Sequence, residues 1–279
     1  MVLPKIREPR AAGTFYSADK KFLLQQIKEC IFHKFGPNKI SEEKFIGAVV
    51  PHAGYVYSGS VAAWIYASIR KANYIIVGPN HYGIGYKFAT YENSIWQTPL
   101  GEVVVDNEMI KKLKECGIEH DARAHEFEHS IEVQLPFLQF RFGNEFRFVP
   151  ISIVHDFPNE VFLKECVEVG RCIGKIIKND PKEWILLASS DFSHYISHKK
   201  AKEIDRKIIK EIEKMDSKRF FKKIVEVDAT PCGYGAIVVV MEAAKELGAK
   251  KGKLITYKTS GDITGDRKSV VGYAAIKFV

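Results

Sequence analysis

The residues able to do chemistry fall in four short polar clusters: Pro51-His52-Ala53-Gly54-Tyr55, Gly78-Pro79-Asn80-His81, Ser189-Ser190-Asp191-Phe192-Ser193-His194-Tyr195 and Thr230-Pro231-Cys232-Gly233-Tyr234-Gly235. The first three each follow an apolar, strand-like run: Ile46–Val50, Tyr74–Val77 and Trp184–Ala188. Open α/β sheets gather ligand and catalytic groups at the carboxyl ends of their strands. Such a sheet would bring His52, His81, His194, Asp191 and Cys232 to one crevice. Imidazoles with a soft sulfur and a carboxylate make a donor set suited to a transition metal.

Each of these residues also has a plainer reading. His52 and His81 can be loop histidines bonded to backbone, although the strand–proline–histidine pattern occurs twice within thirty residues. Asp191 and His194 are spaced to form a pair in which the carboxylate orients the imidazole. The alternative is that Asp191 or Ser193 caps a helix. Cys232 stands between Pro231 and Gly233 at a break before a helix, where a thiolate can face a helix N-terminus or a metal. Cys30, Cys116, Cys166 and Cys172 lie in helical-looking stretches and read as small buried hydrophobes. Five cysteines without a Cys-x-x-Cys pair point to neither a disulfide framework nor a zinc ribbon.

His125-Glu126-Phe127-Glu128-His129 spells H-E-x-x-H, so a zinc peptidase using His125 and His129 is an alternative. The lead-in Ala122-Arg123-Ala124 is a poor apolar context, and a helix starting near Glu128 or His129 would not put both histidines on one face. Glu132 lies one turn after His129 and belongs either to a helix-entry network or to the site. Ser189 and Ser190 lack the Gly-x-Ser-x-Gly elbow of serine hydrolases, and no Walker or Rossmann glycine loop is present.

Positioning these groups falls to alternating helices and strands. Helices are predicted at Ala18–Phe35, Gly59–Arg70, Asn107–Cys116, His129–Phe142 (bent at Pro136), Val161–Ile177, Ala201–Lys214 and Tyr234–Leu247. Strands are predicted at Phe45–Val50, Asn73–Val77, Lys87–Tyr91, Glu102–Val105, Phe146–Val154, Trp184–Ala188, Leu254–Thr259 and Val270–Phe278. The alternation implies an α/β fold, with a central mixed, largely parallel sheet covered by helices on both faces. With no Pro/Gly/Ser-rich linker or repeat, residues 1–279 read as a single domain.

Composition excludes several classes. Hydrophobic residues at 46% and charged residues at 27% are ordinary for a globular chain, and no apolar run approaches the ~20 residues of a membrane span. The opening Met-Val-Leu-Pro-Lys-Ile-Arg lacks the apolar core of a signal peptide, so a cytoplasmic location is expected. The formal charge of +8 comes largely from lysines interleaved with acids, as in Lys199-Lys200-Ala201-Lys202-Glu203, which reads as a solvated helix face. No nucleic-acid motif accompanies it.

Six motifs occur in order: Arg10-Ala-Ala-Gly13-Thr-Phe15-Tyr16, Pro51-His52-Ala-Gly54-Tyr55-x-Tyr57-x-Gly59, Gly78-Pro79-Asn80-His81, Glu128-His129-Ser130-Ile131-Glu132, Ser190-Asp191-Phe192-Ser193-His194-Tyr195 and Cys232-Gly233. With Ser269-Val-Val-Gly-Tyr273-Ala-Ala275 near the end, the chain resembles the Memo family along essentially its whole length. That family is similar in fold to the class III extradiol ring-cleaving dioxygenases. The resemblance implies His52, His81 and Cys232 as metal ligands, with Asp191 and His194 in the same pocket and His194 as the acid–base group. Tyr55, Asn80, His129, Glu132 and Tyr195 belong to the matching motifs and are expected to bind substrate or support the ligands. In the dioxygenases a glutamate completes the ligand set; here, as in Memo proteins, Cys232 stands in its place. A soft thiolate shifts preference toward copper or redox-active iron, so catechol cleavage does not carry over with the fold. A metal-dependent redox enzyme is implied, acting on an unspecified small molecule or peptide. The alternative is a protein- or peptide-binding module using the same pocket. An Ammecr-type protein and a radical-SAM enzyme are the pathway partners that the resemblance implies.

Overall fold

The computed structural model describes residues 3–154 and 157–279. The elements in chain order are β1 (Lys5–Arg7), α1 (Lys20–Phe32), β2 (Gly47–Val50), α2 (Tyr55–Tyr66), β3 (Asn73–Asn80), β4 (Phe88–Thr90), β5 (Ser94–Thr98), β6 (Gly101–Val105), α3 (Asn107–Leu113), β7 (Glu119–His120), α4 (Arg123–Glu126) and α5 (Leu135–Phe142). Then follow β8 (Arg147–Val154), α6 (Glu160–Lys178), β9 (Trp184–Ser189), α7 (His198–Glu213), α8 (Ser217–Val227), α9 (Tyr234–Glu246), β10 (Gly252–Thr259), α10 (Ser260–Thr264) and β11 (Gly272–Phe278).

One mixed sheet carries the strands in the order β1-β5-β6-β8-β3-β9-β2-β11-β10, with β4 added to β8 and β7 to β4. Its middle is parallel: β6, β8, β3, β9 and β2 run the same way, and β11 closes antiparallel on β2. The β2, β3 and β9 runs are buried almost throughout, which is why they read as continuous apolar stretches. Helix α9 lies across β2, β3 and β9 with α6 packed behind it, while α2 packs against β2, β10 and β11. The α6–α9 contact is close because Gly170 and Gly174 face α9: a Cβ on Gly170 would sit 2.4 Å from the Val239 carbonyl.

Several boundaries differ from the sequence expectation. Helix α2 starts at Tyr55 and ends at Tyr66, not Gly59–Arg70; it is buried nearly all round, so its periodicity carries no register. Strand β3 runs on through Gly78-Pro79 to Asn80. Its ladder with β9 stops at Val77 while that with β8 continues, and a residue without an N–H is tolerated where one flank is open. Pro136 does not bend a helix. A 3₁₀ turn at Glu132–Gln134 precedes α5, and Pro136 sits in the first turn of α5, where its missing N–H costs nothing. Helix α8 was not anticipated, although Asp216 caps it by accepting from the Arg219 N–H and Phe220, Phe221 and Ile224 supply its buried stripe.

The reading of Cys116 and Cys172 as isolated hydrophobes is overturned. The 3₁₀ turn after α3 packs on α6 and brings their Cα atoms to 5.5 Å, and the two form a disulfide. Nothing in their spacing announces this, because the pairing is made by tertiary packing across 56 residues. Cys30, Cys166 and Cys232 remain free thiols. The lysine-rich stretch behaves as expected: Ala201, Ile204, Ile208, Ile209 and Ile212 face inward on α7, and its lysines face out. Among the described residues no helix is long and apolar enough to cross a membrane.

Candidate metal centre

The carboxyl ends of β2, β3 and β9 deliver His52, His81 and Asp191 to one end of the sheet, and the loop before α9 brings Cys232 to meet them. One ligand atom from each of His52, His81 and Cys232 falls within 4.8 Å of the others. His52 Nε2 lies 3.1 Å from Cys232 Sγ. A third imidazole, His129, stacks on His81 with ring centroids 4.8 Å apart and stands edge-on to His52 at 5.5 Å.

The tautomers follow from the surroundings. The Ser189 hydroxyl donates to the Ser130 carbonyl at 2.7 Å and accepts from Gln134 Nε2 at 2.9 Å. Its single proton is thus used, and the 2.8 Å contact with His52 Nδ1 requires Nδ1–H to donate. His52 Nε2 is left with its lone pair toward Cys232. Nδ1 of His81 likewise donates to Glu128, at 2.9 and 3.1 Å to its two oxygens, leaving the Nε2 lone pair open. A histidine whose far nitrogen is tied to a carboxylate or another acceptor is the arrangement by which proteins orient metal ligands.

Glu128 is the residue that sequence reasoning passed over. It is 1% exposed and also accepts from the backbone N–H groups of His81, His129 and Ser130. Burial alone would raise its pKa, but the hydrogen bond and charge of His81 outweigh that and hold it down to about 2. The sequence offers no separate signal for it beyond its place in the Glu128-His129-Ser130-Ile131-Glu132 motif.

Cys232 is pinned against the end of β9. Its N–H donates to the Asp191 carbonyl at 3.2 Å, and its sulfur accepts from the Asp191 N–H at 3.2 Å. Gly233 follows because no side chain fits: a Cβ there would stand 2.2 Å from the Ser189 carbonyl. Burial first, and then the charge of Asp191, pushes the Cys232 thiol well up, so its proton stays on sulfur, within reach of His52 Nε2. Burial drives His52 down and holds His129 at about 4. For His81, burial works against the charged form, and the Glu128 bond reverses it into a net rise.

Asp191 and His194 do not pair. Asp191 Oδ1 accepts from the His52 N–H at 2.9 Å, while its burial raises its pKa to about 6. His194 is instead oriented by Thr230, whose carbonyl accepts from Nδ1 at 2.9 Å and whose hydroxyl oxygen accepts from the His194 N–H at 3.0 Å. Neither Asp191 nor Ser193 caps a helix, since α7 begins after Ser197. Ser193 is held by the buried Asp205, which also accepts from the Tyr257 hydroxyl.

The remaining expected residues are spread around this centre. Tyr195 is 79% exposed at the rim beside His194, with a left-handed backbone (φ 57°). Asn80 shapes the loop after β3 by donating to the Ile84 carbonyl and accepting from the Tyr82 N–H. Tyr55 donates to the Val133 carbonyl at 2.6 Å. Glu132 is wholly buried and gathers Arg7, the N–H groups of Arg10 and Ala11, and the Tyr16 hydroxyl. It thereby straps the N-terminal segment down, and that segment lays Phe15 on the His129 ring at 4.2 Å.

H-E-x-x-H does not form one helical face. Helix α4 ends at Glu126, and Phe127 breaks away before His129. His125 is fully buried between Tyr91 and Trp96, bonded through Nε2 to the Ala89 carbonyl. That burial lowers its pKa to about 3, against ~6.5 in an unfolded chain. Between those values the unfolded state binds a proton that the folded state refuses, so stability falls as pH drops below about 6.5. His125→Gln should remove about 2 kcal/mol of the stability difference between pH 7 and pH 5 in urea titrations. It should also leave metal content unchanged. An unaltered pH slope would show that His125 is not held neutral.

Residues 7–277 match the family described as Memo-like protein. A MEMO1 family protein of Nitrosopumilus maritimus is 44% identical over 281 residues, covering 98% of this chain and 100% of that protein. One of Methanococcoides burtonii is 45% identical, covering 97% and 99%. In fold, the chain is similar to the crystal structure of an uncharacterized protein, JW3007, from Escherichia coli K12. That match has a TM-score of 0.52 at 13% identity and covers 85% of this chain and all of that one.

Proposed function

The chain belongs to the Memo family, and on that premise we propose that it is a metal-dependent redox enzyme whose ion is held by His52, His81 and Cys232. The observation that carries this reading is the convergence of three donor atoms within 4.8 Å, two of them on imidazoles whose other nitrogens are already committed. Two nitrogens and a thiolate fit copper or iron better than the hard cations magnesium or calcium. When bound, such an ion supplies one-electron chemistry and polarises a substrate placed against it.

The chain's own residues supply the rest. Thr230 fixes His194 with Nδ1–H toward the carbonyl, so Nε2 carries the lone pair and is the atom that takes a proton from a substrate. Asp191 fixes the His52 loop through its backbone N–H and places a carboxylate oxygen 4.0 Å from His52 Nε2, where its charge favours a cation. Phe15 and His129 wall one side of the centre. Iron- or copper-loaded protein should consume oxygen or form peroxide with a reductant or catechol-like compound. His194→Ala should slow that turnover about 10²–10⁴-fold while leaving metal binding nearly intact.

The second reading, a binding module, is favoured by exposed tyrosines flanking the ligand motifs: Tyr195 at 79%, Tyr82 at 55% and Tyr57 at 45%. Loaded protein that is inert with a broad reductant panel, yet takes up peptide in competition with metal, would decide for it.

Cys232 gives an independent check on the ligand set. Its thiol should be alkylated measurably in metal-free protein and shielded when iron or copper is present. Cys30 and Cys166 are buried where Cys232 is partly open to solvent, and they should stay slow in both states. Equal labelling of Cys232 with and without metal, read by mass spectrometry, removes it from the set.

A further inference from the structure

The motif near the end of the chain, Ser269-Val270-Val271-Gly272-Tyr273, runs into β11 at the metal end of the sheet. Strand β11 lies antiparallel on β2, with Ile276 opposite Val49 and Lys277 opposite Ala48. Each step back along β11 is a step forward along β2, so Tyr273 comes level with His52. The Phe192 N–H donates to the Gly272 carbonyl at 2.8 Å, and the Gly272 N–H donates to the Ser193 carbonyl at 2.9 Å. Those bonds hold Tyr273 beside the segment that carries Asp191 and His194. Its side chain faces α2. A Cβ on Gly272 would run into the Asp205 carboxylate of α7, so the next residue turns to the opposite side of the sheet, where α2 begins three residues after His52.

The Tyr273 ring is buried, at 2% exposure, yet its hydroxyl has no hydrogen-bond partner among the described residues and is not sealed from solvent. Other buried tyrosines of this chain commit theirs to protein acceptors: Tyr16 to Glu132, Tyr55 to the Val133 carbonyl, Tyr66 to Gln134 and Tyr74 to the Arg70 carbonyl. A phenol buried without a partner loses hydrogen bonds to water and gains none in return, so a site that keeps one is suited to an acceptor arriving from outside. Burial first, and then the charge of Asp191, raises its pKa, so the group is a donor throughout the neutral range. We propose that Tyr273 is a ligand-binding residue, whose O–H donates to an anionic or carbonyl oxygen of the molecule seated at the His52–His81–Cys232 centre. The inference rests on the metal reading and adds to it the class of ligand, one that carries an oxygen acceptor.

Full-length protein loaded with cobalt(II), a stand-in for iron that does not cycle, reports bound ligands through its visible d–d bands, and acetate is the probe. Tyr273→Phe should bind acetate about tenfold more weakly, with cobalt content and the acetate-free spectrum unchanged. Its melting temperature should not fall, because the lost hydroxyl holds no protein group. Tyr74→Phe removes a hydroxyl bonded at the far end of β3 and should show the reverse, a lower melting temperature and unaltered acetate affinity. Three results overturn the proposal while leaving the ligand set standing: wild-type acetate affinity in Tyr273→Phe, loss of cobalt from that variant, or a wild-type spectrum that acetate does not move. Wild-type protein that takes up no cobalt removes the ligand set and the proposal together.

Discussion

Alanine at His52, His81 or Cys232 will strip most of the bound metal from protein purified without chelator or affinity tag, and the fold will survive. Each side chain makes its main contacts with the other members of the cluster or through one ring nitrogen, so its removal leaves the sheet ends intact. Glu128→Gln should act more mildly: it keeps a hydrogen-bond acceptor for His81 Nδ1 but loses the charge, and metal affinity should fall about 10–100-fold. Elemental analysis by mass spectrometry, with circular dichroism to verify folding, measures all four. Full occupancy in the three alanine variants would falsify the ligand assignment. Loss in His125→Gln would instead revive the peptidase reading.

Reduction of the Cys116–Cys172 bond should give the largest effect on stability. The two cysteines are separated by 56 residues, and a loop of that length corresponds to ~4 kcal/mol of unfolded-state entropy in the chain-entropy account. That is a large part of the ~5–15 kcal/mol that holds a typical domain together. The melting temperature should drop by roughly 10 °C on reduction, and by a similar amount in Cys116→Ser. In denaturant, alkylation before reduction should mark three thiols and after reduction five. Five labels without reductant would mean that the bond does not form. Disulfides are uncommon in mesophilic cytosol but are a recognised feature of hyperthermophile intracellular proteins, so the bond does not by itself contradict a cytoplasmic chain.

The sheet and the convergence of the strand-end motifs were legible because both are written in short-range patterns. Val49, Ile75 and Leu186 sit in unbroken apolar runs whose ends coincide with His52, His81 and Asp191, and strand-end placement follows from fold class alone. What failed was whatever depends on which side chain meets which across the fold. His194 was assigned to Asp191 because they are three residues apart, but its partner is Thr230, 36 residues away. Glu132 reads from sequence as either a site residue or part of a helix-entry network, and its four contacts all run to the N-terminal strap. Glu128, Gln134 and Ser189, which set the imidazole tautomers, carry no signature of their own because serine, glutamine and glutamate are common everywhere. Helix α8 is a different kind of miss, since its cap and stripe were both readable.

His52 and Cys232 touch across 180 residues of sequence, and His52 and Asp191 across 139. Closures this long cost loop entropy that only the assembled sheet repays. An unfolded chain holds these donors apart, so an ion held by the proposed site would bind only the folded state. By mass action, free metal at a hundred times its dissociation constant would add about 2.7 kcal/mol to the native state. In a cell that rations iron or copper, the lifetime of this protein against proteolysis would then track the supply of the ion, with no dedicated sensor.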